Sequence, residues 1–447
     1  MNKFFLIPFC IILVSCNTSK DPKTETLSNS VFVDSVETVL DNNIPKLQLE
    51  QKVPAVGIGL IEDGKIKLVK VYGEHQLEKT APQNTIFNVA SIAKIVTTLT
   101  TLKLSELGSW NLDEPLSTYW TDPDIVNDTL SQRLTTKHSL THTTGFKNWR
   151  RMNTSGKLEF DFEPGTKFQY SGEGMEYLKT ALENKYKTDL GTLSDSLIFE
   201  PLGMVDATLK WIPAKDTLRF AKWYNGQGVE HQVETYSTPD ADAADDFLTT
   251  VEDLLKLGIG IMDKKIIGDD LFNKMVQPQI EIHQNASQGL GWTIVEDLPN
   301  NNYAINHDGG DMGVAATIIL LPNSKSGIVV FTNGDNGRIL CNTIVKEAVL
   351  FGKEIIQKLY WGGEIPQIIE INPELLQKYS GTYVTNQNTE LSFWVRDNAL
   401  KIQGQGVPGV EIYPKSNSEF FPTDFEVFFT FEETEKGLKF DLLSQGG

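Results

Sequence analysis

Ser91 and Lys94 stand three residues apart in the stretch NVASIAKIVTTL, and the chain holds one S-x-x-K pattern, this one. On a helix a spacing of three puts both side chains on one face. The flanks FNVA and IVTTL are apolar, which predicts a buried helix start. A buried lysine costs several kcal/mol unless it is paired or gives up its proton. A neutral amine beside a hydroxyl is a general base next to a nucleophile. The free N–H groups of a helix N-terminus add stabilisation for developing negative charge. The plainer alternative, an N-cap serine followed by a solvated lysine, sits poorly with the apolar flanks.

Such a pair needs partners. Tyr170 follows a Pro-Gly turn in EPGTKFQYSGEG and precedes a helical stretch. His307 ends a strand-like run in AINHDGGDMG, with Asp308, Gly309 and Gly310 after it. Glycines there let a substrate lie against the strand edge, where backbone N–H groups can reach it. Neither residue would stand out alone: each is as readily a core tyrosine or a satisfied histidine.

The elements that must position these residues are legible in outline. VGIGLIEDGKIKLVKVYG holds two apolar runs around Asp63-Gly64, a hairpin signal. In the helix from Ser91, residues Ile92, Ile95, Val96, Leu99, Leu102 and Leu107 follow a 3.6-residue period, and Gly108 is a C-terminal stop. Residues 110–250 read as helix and loop. Strand-like runs return in GWTIVE, NYAINHDGG, GVAATIILLP and SGIVVFTN, before the helical ILCNTIVKEAVLFGKEIIQKLY. This predicts an α+β fold: a mixed antiparallel sheet flanked by helices, with an all-helical lobe, over residues 36–360. From residue 374 to 447 short alternating runs separated by turn residues predict a small all-β accessory domain, a barrel or curled sheet.

These segments resemble the serine β-lactamase and penicillin-binding-protein superfamily, on the side of class C β-lactamases, D,D-carboxypeptidases, D-aminopeptidases and family VIII esterases. The resemblance rests on FNVASIAK, LTHTTGF, EPGTKFQYSGEG, EPLGM, QGLGW and HDGGDMG with IVVFTN, in the family's order. The β module resembles the lipocalin-like appendage of such proteins. The resemblance implies Ser91 as acylated nucleophile, Lys94 as its base, Tyr170 as proton shuttle and His307 in the place of the third-motif Lys or His. It implies an oxyanion hole from the backbone N–H groups of Ser91 and Gly310, two-step acyl transfer to water, and no metal or cofactor. His142 in LTHTTG reads as architectural.

Two departures bear on the substrate. The usual Tyr-x-Asn reads Tyr170-Ser171-Gly172, so the amide that contacts the substrate's acyl amide and the lysine is missing. Glu173 is the candidate to replace it beside Lys94. The usual Lys-Thr-Gly reads His307-Asp308-Gly309, and an ionised Asp308 would repel a substrate carboxylate by about 1–4 kcal/mol. The expected substrates are therefore neutral esters, amides or compounds with a free amine. Two other readings stay open: a β-lactamase or D-Ala-D-Ala carboxypeptidase, and a non-catalytic binding pseudoenzyme.

The N-terminal MNKFFLIPFCIILVSC has the layout of a secretory signal, and Leu13-Val14-Ser15-Cys16 resembles a lipobox. The expectation is an exported bacterial lipoprotein, membrane-anchored through Cys16, with residues 17–35 as a flexible tether. Cys341 is then alone in the domain and reads as a buried structural thiol. A net charge of −19 over 447 residues disfavours nucleic acid as a partner.

Overall fold

The computed structural model describes residues 29–211, 218–232, 240–384, 390–396, 399–404, 407–425, 427–434 and 437–444. The signal segment, Cys16 and residues 17–28 lie outside the described residues. A helix, α1 (Asn29–Gln51), already runs through 29–35, so that part of the expected tether is helical.

Nine strands build the main sheet. In chain order they are β1 (Ala55–Glu62), β2 (Lys65–Gln76) and β3 (Lys79–Thr80), then β6 (Ile280–His283), β7 (Ala286–Gln288), β8 (Thr293–Leu298), β9 (Asn302–Asp311), β10 (Val314–Leu321) and β11 (Ser326–Thr332). Between them, β4 (Phe87–Asn88) and β5 (Leu248–Thr249) form a two-stranded ribbon. The sheet order is β3-β2-β1-β11-β10-β9-β8-β7-β6, and its ladders are antiparallel throughout. The β1–β2 turn has Asp63 at φ 51° and Gly64 at φ 71°, the left-handed pair whose twist matches the flanking strands. Strands β6 and β7, only four and three residues long, do not stand out in the sequence.

Side chains alternate across this sheet. On one face Val56, Ile58, Ile319 and Val330 pack with Leu40 of α1 and with Leu340, Cys341 and Ile355; these last belong to the helices Gly337–Ala348 and Gly352–Trp361. On the other face Ile305, Ala316 and Phe331 meet Phe87, Val251 and Leu255. There the helix Val251–Met262 comes so close that a Cβ on Gly59 would lie 2.6 Å from Leu255 Cδ1. The close seat brings the helical lobe down onto the sheet, and the site forms at that boundary. Cys341 is buried and unpaired.

Helix α2 (Ala93–Glu106) differs from the amphipathic helix its period suggests. Its buried residues include Lys94 and Thr97, Thr98, Thr100 and Thr101 as well as the apolar positions. Thr97 donates to Ala243 O and Thr101 to Thr97 O, so much of its polar face is satisfied inside the lobe. Leu107, expected in the apolar stripe, is 60% exposed, because the helix ends at Glu106 and the chain turns out through Gly108 at φ 70°.

The C-terminal module is a seven-stranded antiparallel sheet in sequential order, from Gly381–Val384 to Gly437–Ser444. Phe393, Phe420, Phe429 and Phe431 fill its core. It is tied to the main domain by the Lys346–Asp424 ion pair and by Trp361 Nε1 donating to Thr423 O at 3.1 Å. Among the described residues no helix is long and apolar enough to cross a membrane.

Candidate active site

The site begins at a strained turn. Ala90 has φ 48°, a left-handed conformation that is uncommon for a residue with a Cβ. Asn88 holds it: its Oδ1 accepts from Ala90 N at 2.7 Å, and its Nδ2 donates to Asp246 Oδ1 at 2.8 Å. Val89 N donates to Phe247 O at 2.8 Å. The turn places Ser91 in a short 3-10 segment, Ala90–Ile92, half-exposed at the head of α2. Lys94 follows in the first turn of α2 and is 1% exposed. Its Nζ lies 3.1 Å from Ser91 Oγ and donates to Ala244 O at 2.6 Å. The Tyr170 ring centroid is 4.8 Å from the same nitrogen.

Tyr170 is partly exposed over these groups. Its ring lies 4.4 Å from that of His142 and 6.5 Å from that of His307. His142, at φ 53°, accepts from Ser171 N at its Nδ1, 3.2 Å away. Burial first, then the Lys94 charge, hold its imidazole well below its ordinary range. It is therefore neutral, with its proton on Nε2 and Nδ1 supporting the Tyr170 loop. Ser171 caps the helix Gly172–Tyr186, accepting from Gly174 N and donating to Lys147 O.

Strand β9 forms the opposite wall. Its pairing with β8 stops at Asn306, while β10 stays paired through Asp311. From His307 onward one edge of β9 thus has no strand neighbour among the described residues. A Cβ on Gly309 would lie 2.0 Å from Val89 O, so this glycine lets the strand press against the nucleophile turn. His307 is 6% exposed and its Nδ1 lies 2.8 Å from Asp308 O. A carbonyl only accepts, so Nδ1 carries the proton. Burial, then the Lys94 charge, pull its pKa down to about 4. The neutral ring therefore keeps a free lone pair on Nε2.

Two expectations are corrected here. Asp308 is on the other face of β9 from His307, as strand alternation requires. Its carboxylate lies 3.1 Å from Arg338 Nη1 and accepts from Asn306 Nδ2 and Tyr360 Oη. Arg338 also donates to Gly309 O at 2.6 Å. The Asp308 charge is neutralised behind the strand and does not oppose a carboxylate in the cleft. Glu173 is not the partner of Lys94. It accepts from Arg150 N at 2.9 Å and Arg150 Nε at 2.7 Å, within a network that includes Asp122 and Asp124.

Sequence reading missed the segment 241–247. Its Ala244 carbonyl holds Lys94, and no residue type signals a backbone acceptor. Its Asp245 carboxyl is pushed up to about 7, by burial and then by Asp311, against the opposing Lys94 charge. The acidic run DADAADD was the visible hint of this titratable group beside the lysine. Among the described residues, no cluster of three His, Cys, Asp or Glu side chains is arranged to hold a metal.

A hydroxyl against a buried amine, at the head of a helix and beside a free strand edge, defines a serine–lysine site on an α+β scaffold. The beta-lactamase family model matches residues 40–349, and the chain belongs to that family. Penicillin-binding protein 4* of Bacillus subtilis (strain 168) is 21% identical over 414 residues, which is 84% of this chain and 89% of that protein. Protein flp of Staphylococcus aureus (strain MW2) is 24% identical over 67% of this chain; the match spans 62% of flp. Among solved structures, the octameric penicillin-binding protein homologue from Pyrococcus abyssi matches with a TM-score of 0.61 and 19% identity, over 93% of this chain and 96% of that one. A class C beta-lactamase matches with a TM-score of 0.60 and 20% identity, over 70% and 95%. At these identities the structural likeness concerns the fold.

Proposed function

We propose that this chain is a serine hydrolase that cleaves esters or amides, of the esterase or D-amino-acid peptidase type, through an acyl-enzyme on Ser91. The observation that carries this reading is the 3.1 Å approach of Lys94 Nζ to Ser91 Oγ, with the amine already bound to Ala244 O. In the unprotonated form of Lys94 that acts as base, the nitrogen donates to Ala244 O and turns its lone pair to the Ser91 hydroxyl. Lys94 takes the Ser91 proton as Oγ attacks the substrate carbonyl carbon. The oxyanion is received by the Ser91 and Gly310 amides. Collapse breaks the bond to the alcohol or amine, which takes its proton through Tyr170. Water then attacks the acyl carbon, and Ser91 is released. His307, neutral with a free Nε2, contributes an acceptor on the strand wall rather than a cation.

The proteins this chain is similar to include penicillin-binding and class C β-lactamase proteins. We favour esters and amides over β-lactams because Gly172 supplies no side-chain amide to grip an acylamino group. Export and anchoring through Cys16, to a periplasmic or cell-surface membrane, complete the proposal.

The test is a comparison of kcat/KM for p-nitrophenyl butyrate, a D-amino-acid anilide, nitrocefin and diacetyl-Lys-D-Ala-D-Ala. The expected result is turnover of the ester or the anilide, abolished in Ser91→Ala. A higher kcat/KM for nitrocefin or the D-Ala-D-Ala peptide would move the assignment to a β-lactamase or carboxypeptidase.

A further inference from the structure

The missing asparagine at position 172 has a counterpart in space. A Cβ built on Gly172 would lie 2.8 Å from Trp149 Cη2, 2.9 Å from Cζ2 and 3.1 Å from Cζ3. The outer ring of the indole therefore occupies the position into which any side chain at 172 would project. An aromatic ring is rigid, so an asparagine there would have to displace the whole side chain. Glycine at 172 and tryptophan at 149 are in this sense one change.

The indole is held in place from both sides. Asn148 accepts from Gly172 N through its Oδ1 at 2.8 Å and from Glu173 N through its backbone carbonyl at 2.9 Å. Arg150, the next residue, is bound through its own N and Nε to the Glu173 carboxylate. Lys147 O accepts from Ser171 Oγ at 3.0 Å. Segment 147–150 is thus fastened along residues 171–173, immediately after Tyr170. Trp149 itself is only half-buried, with the Arg151 guanidinium carbon 5.2 Å from its ring.

We infer that Trp149 is a specificity-determining residue, an apolar aromatic wall standing where the asparagine amide would bind the acyl part of the substrate. The inference rests on the serine-hydrolase reading above. A wall of this chemistry selects acyl groups that present a flat or bulky apolar surface and gives nothing to an acyl amide. It thereby narrows the substrate class to esters or amides of aromatic or branched apolar acids.

The experiment compares p-nitrophenyl phenylacetate with p-nitrophenyl acetate in the full mature chain, alongside fluorophosphonate labelling of Ser91. The wild type is expected to favour the phenylacetate. Trp149→Ala should lower the phenylacetate-to-acetate ratio of kcat/KM by about tenfold, while Trp149→Phe stays within about threefold. Gly172→Asn should lose activity alone and regain it when combined with Trp149→Ala. An unchanged ratio in Trp149→Ala, with Ser91 still labelled and acetate still turned over, overturns the inference and leaves the hydrolase reading standing. If the alanine variant does not fold, the Trp149→Leu and Trp149→Phe pair decides, and equal ratios in those two overturn the inference. Absence of both labelling and turnover in the wild type removes the hydrolase reading and the inference with it.

Discussion

Replacing Gly309 with alanine should disable the site from behind. The added Cβ would stand 2.0 Å from Val89 O and 3.0 Å from Val89 C, about 1 Å inside the closest tolerable approach. Neither side yields by rotating a side chain. Val89 is fixed by its bond to Phe247 O, and Gly309 is locked in register opposite Ala316 of β10. The strand must move off the nucleophile turn, carrying His307 and Gly310 with it. A displacement of about 1 Å costs on the order of 100-fold in rate, and overpacking of this kind costs about 1–3 kcal/mol of stability. The neighbouring glycine is the control. A Cβ on Gly310 meets only Arg338 Nη2, at 3.9 Å, and its backbone N–H is retained. Rates of fluorophosphonate labelling and thermal melts should therefore separate the two variants: Gly309→Ala slow and less stable, Gly310→Ala within about threefold of wild type. Equal behaviour of the two, or a Gly309→Ala variant that labels at the wild-type rate, would refute the claim that β9 must touch the Ser91 turn.

Three further outcomes are expected. Lys94→Met should slow Ser91 labelling by about 10²–10⁴-fold, the range for a lost general base, as measured by time-resolved intact mass. His307 is neutral in the fold with a pKa near 4 against an ordinary 6.5. The unfolded chain therefore binds the extra proton first as pH falls. Its contribution to stability is full above pH 6.5 and is lost between 6.5 and 4, by about 3 kcal/mol. Urea midpoints at pH 7 and 4.5 should accordingly differ less in His307→Gln than in wild type. Asp308→Asn should lower the melting temperature, because Arg338 loses its buried counter-charge. The ratio of kcat/KM for anionic to neutral esters should stay unchanged.

The sequence revealed more of the scaffold than of the cleft. The hairpin at Asp63-Gly64 was readable because its turn demands residues that tolerate positive φ. Strands β10 and β11 were readable because they are nearly continuous apolar runs, and β8 and β9 because each has a short one near its start. Ser91 and Lys94 were readable because their spacing is local to one turn of helix. Asp308 was misplaced although the information was present: a two-residue period puts it opposite His307 and Gly309, and reading the motif as a unit hid that alternation. Glu173 was misassigned for a different reason, since its partner Arg150 lies 23 residues earlier in the chain and only the folded loop brings them together. The turn at Ala90, braced by Asn88 and Asp246, and the carbonyl of Ala244 left no trace in residue type. Leu107 obeyed the helical period but fell past the helix end, where periodicity no longer governs burial.

The most direct test is the intact mass of the purified protein after brief exposure to a fluorophosphonate or an activated ester at neutral pH. One covalent adduct is expected, mapped by peptide digestion to Ser91, absent from Ser91→Ala and strongly slowed in Lys94→Met. A folded wild-type protein that gains no adduct, or one labelled at another residue, would contradict the assignment of Ser91 as nucleophile.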